Sequence, residues 1–568
     1  MSKIENRLVG ELSLTLKGFG FVSVQNRDED IFIAKENLNG AVDGDIVEIR
    51  FRKKKKFNSK PEAEIIHILS HNAKNVDLAS IMKKYNLSAD FPSAVISEAQ
   101  KVANLKFEDC MDNRLDLRDT TIITIDPADA RDLDDAVSLE ENPDGTLTLG
   151  VHIADVSQYV TEGSELDKEA YRRGTSVYFP DRVIPMLPPQ LSNGICSLNP
   201  NEPRLTLSVL MTLDKFYNII GYKIKKTLIQ TTTRFSYDEV QDILDGKKHK
   251  HRDLIMKMSE IAQKHEHERR LRGEVAFQVP EPKIVLDENG QIASVYSQPH
   301  NLSHRIIETF MIMTNEVIAE HFNKLNLPFV YRIHEKPDPL KVVRFLNTLT
   351  PFEVKHNIDF ENPDGHAYQA MLDGIKDDNV RTIVSMLALR SMQKAKYDHN
   401  CVGHFGLGST YYCHFTSPIR RYPDLLIHRI IKMFLDSKLN GPKIEQLTDF
   451  VKEASVQCSQ TELDSVEAER EVDNMKRAEY MQAHLGETFE GVVNGITDFG
   501  IFVYIPANTA EGLVRIENLP ADNYVFNENT MQLIGKKSKI RMGDPIVVTV
   551  IGVNLRKSKI EFSANNND

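Results

Sequence analysis

The stretch "TIITIDPADARDLDDAVSLE", residues 121–140, constrains this chain more than any other. Two apolar runs, "TIITI" and "DAVSLE", read as strands. Around the turn between them lie five aspartates within ten positions: Asp126, Asp129, Asp132, Asp134 and Asp135. A fold that buries these strands must accommodate that charge beside its core. Asp126, Asp132, Asp134 and Asp135 stand at offsets of 0, 6, 8 and 9, a pattern that does not follow one helical face. A loop joining two strands can instead converge several carboxylates on one point. Carboxylates that close raise one another's pKa unless something neutralises them. A divalent cation with oxygen ligands is the simplest neutraliser, and Mg²⁺ suits a substrate that brings phosphate oxygens. Two such ions about 3.5–4 Å apart would activate water and stabilise the leaving oxygen in phosphodiester hydrolysis. The alternative is a solvated acidic loop, and Asp129 reads that way.

The 568 residues exceed one compact domain and point to three or four. Residues 1–70 carry short strands with Gly, Asn and Asp turns, as in "GELSLTLKGFGFVSVQ" and "GDIVEIRFRK", the pattern of a small β-barrel. Residues 71–118 read as a helical lead-in. From 119 to about 485 runs a mixed region that opens on the aspartate strands. It continues into helical segments such as "SHRIIETFMIMTNEVIAEHF" and "VRTIVSMLALRSMQKAKY". Residues 486–568 return to short strands and a second barrel. The predicted class is therefore multidomain α+β, a mixed α/β domain flanked by small barrels.

A net charge of −12 does not mark a nucleic-acid binder, but "RFRKKKKFNSK" at 50–60 holds seven Lys or Arg in eleven positions. Five cysteines with no CxxC pair argue against a disulfide framework and for a reducing compartment. The N-terminus lacks the apolar core of a signal peptide, and no apolar run reaches the roughly 20 residues that span a bilayer. A cytoplasmic protein without a membrane partner is expected. Downstream, "HFTSPIRRYPDLLIHR" sets Arg420 beside Arg421 just before a helix start. Arginine presents a planar fork suited to phosphate, although such a pair also bridges to surface carboxylates. A carboxylate cluster and an arginine pair in one domain together favour phosphoryl chemistry.

In order along the chain come "TIDPADARDLDDAV", "VHIADVSQYV", "RRGTSVYFPDRVIPMLPPQLSNGICSLNP", "YRIHEKPDP", "LRSMQKAKY" and "GHFGLGSTYYCHFTSPIRRYPDLLIHR". These stretches resemble the catalytic domain of the ribonuclease II/ribonuclease R (RNB) family, nearest to its ribonuclease R branch. The resemblance implies processive 3′→5′ hydrolysis of single-stranded RNA with a free 3′ end. The implied products are nucleoside 5′-monophosphates and a short remnant. It implies Mg²⁺, as two ions with Mn²⁺ able to substitute, held by Asp126, Asp132, Asp134 and Asp135, with Asp134 the most critical. It implies that Tyr178 in "TSVYFP" stacks on the 3′-terminal base and that Phe277 in "RGEVAFQ" is a second stacking aromatic. Arg420 would hold phosphate near the scissile bond and Arg421 beside it would also bind RNA, while Tyr237 and Glu308 would read the ribose. Stacking ignores base identity, which suits digestion of any RNA.

The first barrel resembles a cold-shock domain, with Phe19, Phe21 and Phe32 as a stacking surface and Lys17 and the basic run on phosphate. Some of these phenylalanines could equally fill the barrel. The C-terminal barrel resembles an S1-type domain whose RNA face would carry Phe499, Phe502, Arg515, Arg556 and Lys557. Two departures stand out: the family usually has two cold-shock domains where this sequence shows one, and "SANNND" is not a basic tail. Two rivals remain. One is a catalytically inactive RNA-binding relative, which the four intact aspartates oppose. The other is zinc bound by His399, Cys401, His404, Cys413 and His414, whose spacings match no common zinc pattern. A threading enzyme needs no second subunit, so a monomer is expected.

Overall fold

The computed structural model describes residues 7–564 except 16–18, 25–29, 40, 42–44, 52–61, 71–77, 278, 280, 289, 291, 299 and 528–529. Lys17 and all but Arg50 and Phe51 of the basic run therefore lie outside the described residues.

Five strands close the first barrel: β1 (Arg7–Leu14), β2 (Gly20–Ser23), β3 (Ile31–Ile33), β4 (Ile46–Phe51) and β5 (Glu62–Ser70). The period of two sorts its side chains. Val22, Ile31 and Ile33 fill an aliphatic interior with Leu12, Val47, Ile49 and Ile65, while Phe21 and Phe32 point the other way. Helices α1 (Leu78–Lys84) and α2 (Ser93–Ala103) follow.

The centre is a seven-stranded sheet. It takes β6 (Leu115–Asp116), β7 (Ile122–Asp126), β8 (Asp135–Glu141) and β9 (Leu147–Ala154). After helix α3 (Glu165–Arg173) and the small hairpin β10 (Val177–Tyr178) and β11 (Val183–Ile184), it adds β12 (Pro203–Leu213), β13 (Ile219–Gln230) and β14 (Thr233–Ser236). The order is β14-β7-β8-β9-β12-β13-β6, with antiparallel inner strands and parallel edges. The connection from β7 to β8 is the aspartate loop.

Helices α4 (Tyr237–Leu244), α5 (Arg252–Leu271) and α6 (Leu302–Lys324) pack together, with hairpin β15 (Glu281–Leu286) and β16 (Ile292–Gln298) between α5 and α6 in sequence. Ser236 and Glu239 form a reciprocal capping box that fixes where α4 begins. Strand β17 (Tyr331–Ile333) precedes α7 (Pro339–Thr348), α8 (Gly365–Asp373) and α9 (Asp378–Ser391). The expected helix over "VRTIVSMLALRSMQKAKY" is cut short here. It ends at Ser391, Met392 is extended, and Lys396–Asp398 forms β18 against β17. Pairing with a distant strand overrides local helix preference.

Helix α10 (Tyr422–Leu435) leads to the 43-residue α11 (Gly441–Ala483), capped by Asn440 with proline in its first turn. The C-terminal barrel closes β19 (Thr488–Thr497), β20 (Gly500–Ile505) and β21 (Ala510–Arg515) onto β25 (Pro545–Asn554) and β26 (Lys559–Ala564). A separate sheet, β22 (Val525–Asn527), β23 (Gln532–Ile534) and β24 (Lys539–Arg541), is inserted between its strands. The barrel core includes Ile383 of α9 and Met481 of α11, which fixes it to the central domain. The fold is thus a mixed domain flanked by two small barrels. Among the described residues no helix is long and apolar enough to cross a membrane.

Candidate active site and nucleic-acid interface

Strand β7 delivers Asp126 at its end and β8 begins with Asp135, so the two strands hold the ends of the loop. Its interior is clamped from both sides. The Arg234 guanidinium on β14 donates to the backbone carbonyls of Pro127, Ala128 and Ala130, at 3.3, 3.0 and 2.7 Å. On the other flank, Ser197 Oγ donates to the Arg131 carbonyl at 2.8 Å and accepts from Leu133 N at 3.1 Å. Asp134 is then drawn inward to 4% exposure. Its carbonyl accepts from Ala154 N, and its Oδ1 accepts from Ile419 N at 2.8 Å.

Ile419 belongs to the loop before α10. Thr175 Oγ1 and Ser176 N both donate to the Arg420 carbonyl, and Tyr422 N donates to the Gly174 carbonyl. These bonds stitch the segment carrying Tyr178 to the segment carrying Arg420. Arg420 Nε lies 3.8 Å from Asp134 Oδ2, with its side chain 42% exposed. Arg421 is placed differently: its guanidinium is buried and paired with buried Asp424 at 2.7 Å, inside the start of α10.

Tyr178 is 40% exposed and held at both ends. Its hydroxyl donates to Asp132 Oδ2 at 3.0 Å, and its backbone N–H donates to Glu469 of α11 at 2.7 Å. Tyr237, at the start of α4, stacks on His304 with ring centres 4.0 Å apart. Glu308, one turn beyond His304 on α6, lies 3.5 Å from His300. Phe277 is half-buried against a different cluster, that of Phe345, Leu349 and Tyr368.

Burial and mutual repulsion raise the carboxylates' proton affinity. Burial pushes Asp126 up to about 8, with Asp135 and Asp132 adding repulsion that Arg234 and Arg420 partly offset. Burial likewise pushes Asp135 up to about 6 against the pull of Arg420 and Arg421. Asp134 rises well above the ordinary range, chiefly from burial. Burial also holds the Tyr237 hydroxyl high, with Asp135, Asp126 and Glu308 reinforcing it.

Among the described residues, no three His, Cys, Asp or Glu side chains converge tightly enough to hold a metal in this chain alone. The two proposed donor sets nonetheless differ. Asp126 Oδ2 and Asp134 Oδ2 are buried without a hydrogen-bond partner, the state expected of hard oxygen donors. In the zinc alternative the donors have partners. His404 Nδ1 accepts from Leu407 N, His414 Nδ1 bonds Tyr397 Oη, and His399 Nδ1 lies beside Asp398. Cys413 Sγ lies 3.3 Å from the Asn315 carbonyl and Cys401 Sγ 3.5 Å from that of Thr410. Two aspartate oxygens are thus left open, whereas the histidine and cysteine donors are engaged within the protein.

On the first barrel Phe19, Phe21 and Phe32 form a half-buried triad with ring centres 5.4–5.9 Å apart, outside the aliphatic core. On the second, Phe499 is 50% exposed and edge-on to Phe502, and Arg515 pairs with Glu561 at 3.3 Å. Arg556 is half-buried and Lys557 exposed in the turn before β26. Sequence reasoning missed Arg234, Ser197 and Glu469. Each acts from 60 or more positions away; Ser197 alone lies in a quoted family stretch, "LSNGICSLNP", and nothing there singles it out.

Fold and carboxylate centre together fit a class, a hydrolytic nuclease with two small accessory barrels, and comparison with known proteins narrows it. Residues 114–437 match the RNB domain, 10–68 the ribonuclease B OB domain and 483–565 the S1 RNA binding domain. Ribonuclease R of Thermotoga maritima is 40% identical over 96% of this chain and 78% of its own length. Ribonuclease R of Aquifex aeolicus is 36% identical over 95% and 77%. The solved structure of Mycoplasma genitalium RNase R in complex with ribose methylated single-stranded RNA superposes with a TM-score of 0.81. It is 26% identical and covers 98% of this chain and 100% of that one. The yeast pseudonuclease Ssd1 shares the fold at a TM-score of 0.64 and 20% identity, over 94% of this chain and 68% of its own. The chain belongs to the ribonuclease R group of the RNB family, whose members are metal-dependent 3′→5′ exoribonucleases.

Proposed function

We propose that the chain degrades single-stranded RNA processively from a free 3′ end, releasing nucleoside 5′-monophosphates and leaving a short remnant. Asp126, Asp132, Asp134 and Asp135 would hold two Mg²⁺, with Mn²⁺ a workable substitute. When bound, the ions supply an activated water and neutralise charge on the leaving oxygen. The chain's own residues do the positioning. Tyr178 stacks on the terminal base, and Phe277 braces the strand further back. Base stacking contributes about 1–3 kcal/mol per base, enough to seat the scissile phosphate. Arg420 holds that phosphate, and Arg421 acts through Asp424 to set the loop from which Arg420 projects. Tyr237 and Glu308 contact the terminal ribose. The aromatic faces of the two barrels, with Arg515, Arg556 and Lys557, guide the strand inward. A cytoplasmic monomer suffices for this work.

The observation that carries the reading is the pair of buried, unpartnered oxygens on Asp126 and Asp134, with Arg420 beside Asp134. Unpartnered buried polar atoms occur elsewhere in the chain too, but these two are carboxylate oxygens of one loop whose proton affinity burial raises, and a cation would neutralise them. The pseudonuclease Ssd1 keeps this fold, so fold alone does not decide chemistry; the four intact aspartates favour catalysis. The test is Asp134→Asn, assayed for RNA binding and for mononucleotide product. Retained binding with cleavage reduced at least ~1,000-fold supports the reading. Unchanged cleavage sinks the assignment of Asp134, and a native chain that binds RNA without cutting it supports the inactive alternative.

A further inference from the structure

We infer that the cavity beside Tyr178 is a release vestibule for the nucleoside 5′-monophosphate product, with Arg131 and Lys283 receiving its phosphate. This rests on the exonuclease reading and extends it to the step after cleavage. A threaded strand fills the way in, and the cleaved nucleotide lies at its inner end. The product cannot back out past the strand unless the enzyme lets go, which ends processivity. A second opening is therefore required.

The structure supplies one. A cavity of about 1190 Å³ includes Tyr178 and Asp132 in its wall but none of Asp126, Asp134, Asp135, Arg420 or Tyr237. It thus meets the carboxylate centre on one flank, at the Tyr178–Asp132 hydrogen bond. Its volume exceeds the roughly 300–1,000 Å³ of sites that enclose a small ligand, as a passage should. Phe179, Pro180, Val183 and Ile284 give it apolar surface for a base. Hairpin β15–β16 contributes Lys283 and Ile284 to the wall.

The charges sort by their partners. Arg182 is paired with Asp181 at 2.8 Å, and Glu469 accepts from Tyr178 N. Asp473 faces Arg477 on its own helix. Arg131 and Lys283 also line the cavity, and neither makes an ion pair among the described residues. They are the cations left to meet a phosphate dianion. Carboxylates still outnumber cations around the wall, with Asp129, Asp132, Asp181, Glu469 and Asp473 all facing it. That surplus keeps the product's stay short, because an anion is guided by two cations without being trapped.

The test compares single-turnover cleavage of the 3′-terminal bond with steady-state nucleotide release, adding adenosine 5′-monophosphate as inhibitor. The double variant Arg131→Ala/Lys283→Ala should leave the first cleavage within about twofold and raise the inhibition constant at least ~fivefold. Arg182→Trp, at an exposed position of the cavity wall, should keep the first cleavage but slow steady-state release by about tenfold, producing a burst. Native inhibition and native turnover in both variants would refute the vestibule. So would a parallel fall in first cleavage and turnover, which would assign the cavity to cleavage. A native enzyme that liberates no mononucleotide would overturn the exonuclease reading itself.

Discussion

Asp126 and Asp135 are held in the fold at proton affinities near 8 and 6, far above an ordinary carboxylate. A group whose folded pKa is raised stabilises the fold fully below its unfolded value of about 4 and loses that contribution as pH rises through the folded value. Metal-free protein should therefore lose stability at this site between about pH 5 and 8. Buried neutral histidines act in the opposite sense. His152, His404, His414 and His428 are pushed down by burial, so their contribution is present above about 6.5 and lost on acidification. The difference between native protein and Asp126→Asn isolates the carboxylates. In chelator, the variant's melting temperature should exceed the native one at pH 8, with the gap closing at pH 5 and in excess Mg²⁺. A gap that stays constant with pH would contradict this assignment.

Two strands and the clamps from Arg234 and Ser197 hold the aspartate loop as one element. Removing a group that orients metal ligands typically costs 10–100-fold in activity or metal affinity. Arg234→Ala should fall in that range of about 10–100-fold and regain activity as Mg²⁺ is raised; loss that no Mg²⁺ concentration restores would point to misfolding instead. The loop and its flanking strands were legible because neighbouring residues spell them out, whereas Tyr178 was picked out only through the family resemblance of "TSVYFP". Arg234, Ser197 and Glu469 were not, because their partners are distant in sequence and the contacts exist only after folding. The inward turn of Arg421 was hidden for the same reason: only burial separates it from Arg420. A second element directly follows β9, where Arg114 and Lys432 meet the fully buried Asp155 at 2.5 and 3.1 Å. Asp155→Ala leaves those cations unpaired and should destabilise the fold by about 3–5 kcal/mol in denaturant titration.

At the scale of the whole molecule, a net charge of −12 coexists with an OB domain near one end of the chain and an S1 RNA binding domain near the other. In the proposed reading the barrels bind through aromatic faces and local cations, so the global charge would not govern them. Replacing Phe19, Phe21 and Phe32 together with Ala should weaken single-stranded RNA binding by about tenfold or more, at one to a few kcal/mol per stacked base. The rate of the first cut at saturating RNA should be kept; loss of that rate instead would assign the triad to folding or catalysis. The most direct measurement of the central claim is a time course with Mg²⁺ on single-stranded RNA labelled at its 5′ end, with RNA in large excess. Expected is full-length RNA giving way to one short labelled remnant with no ladder between. A ladder of intermediates, or labelled mononucleotide from the earliest times, would contradict processive digestion from the 3′ end.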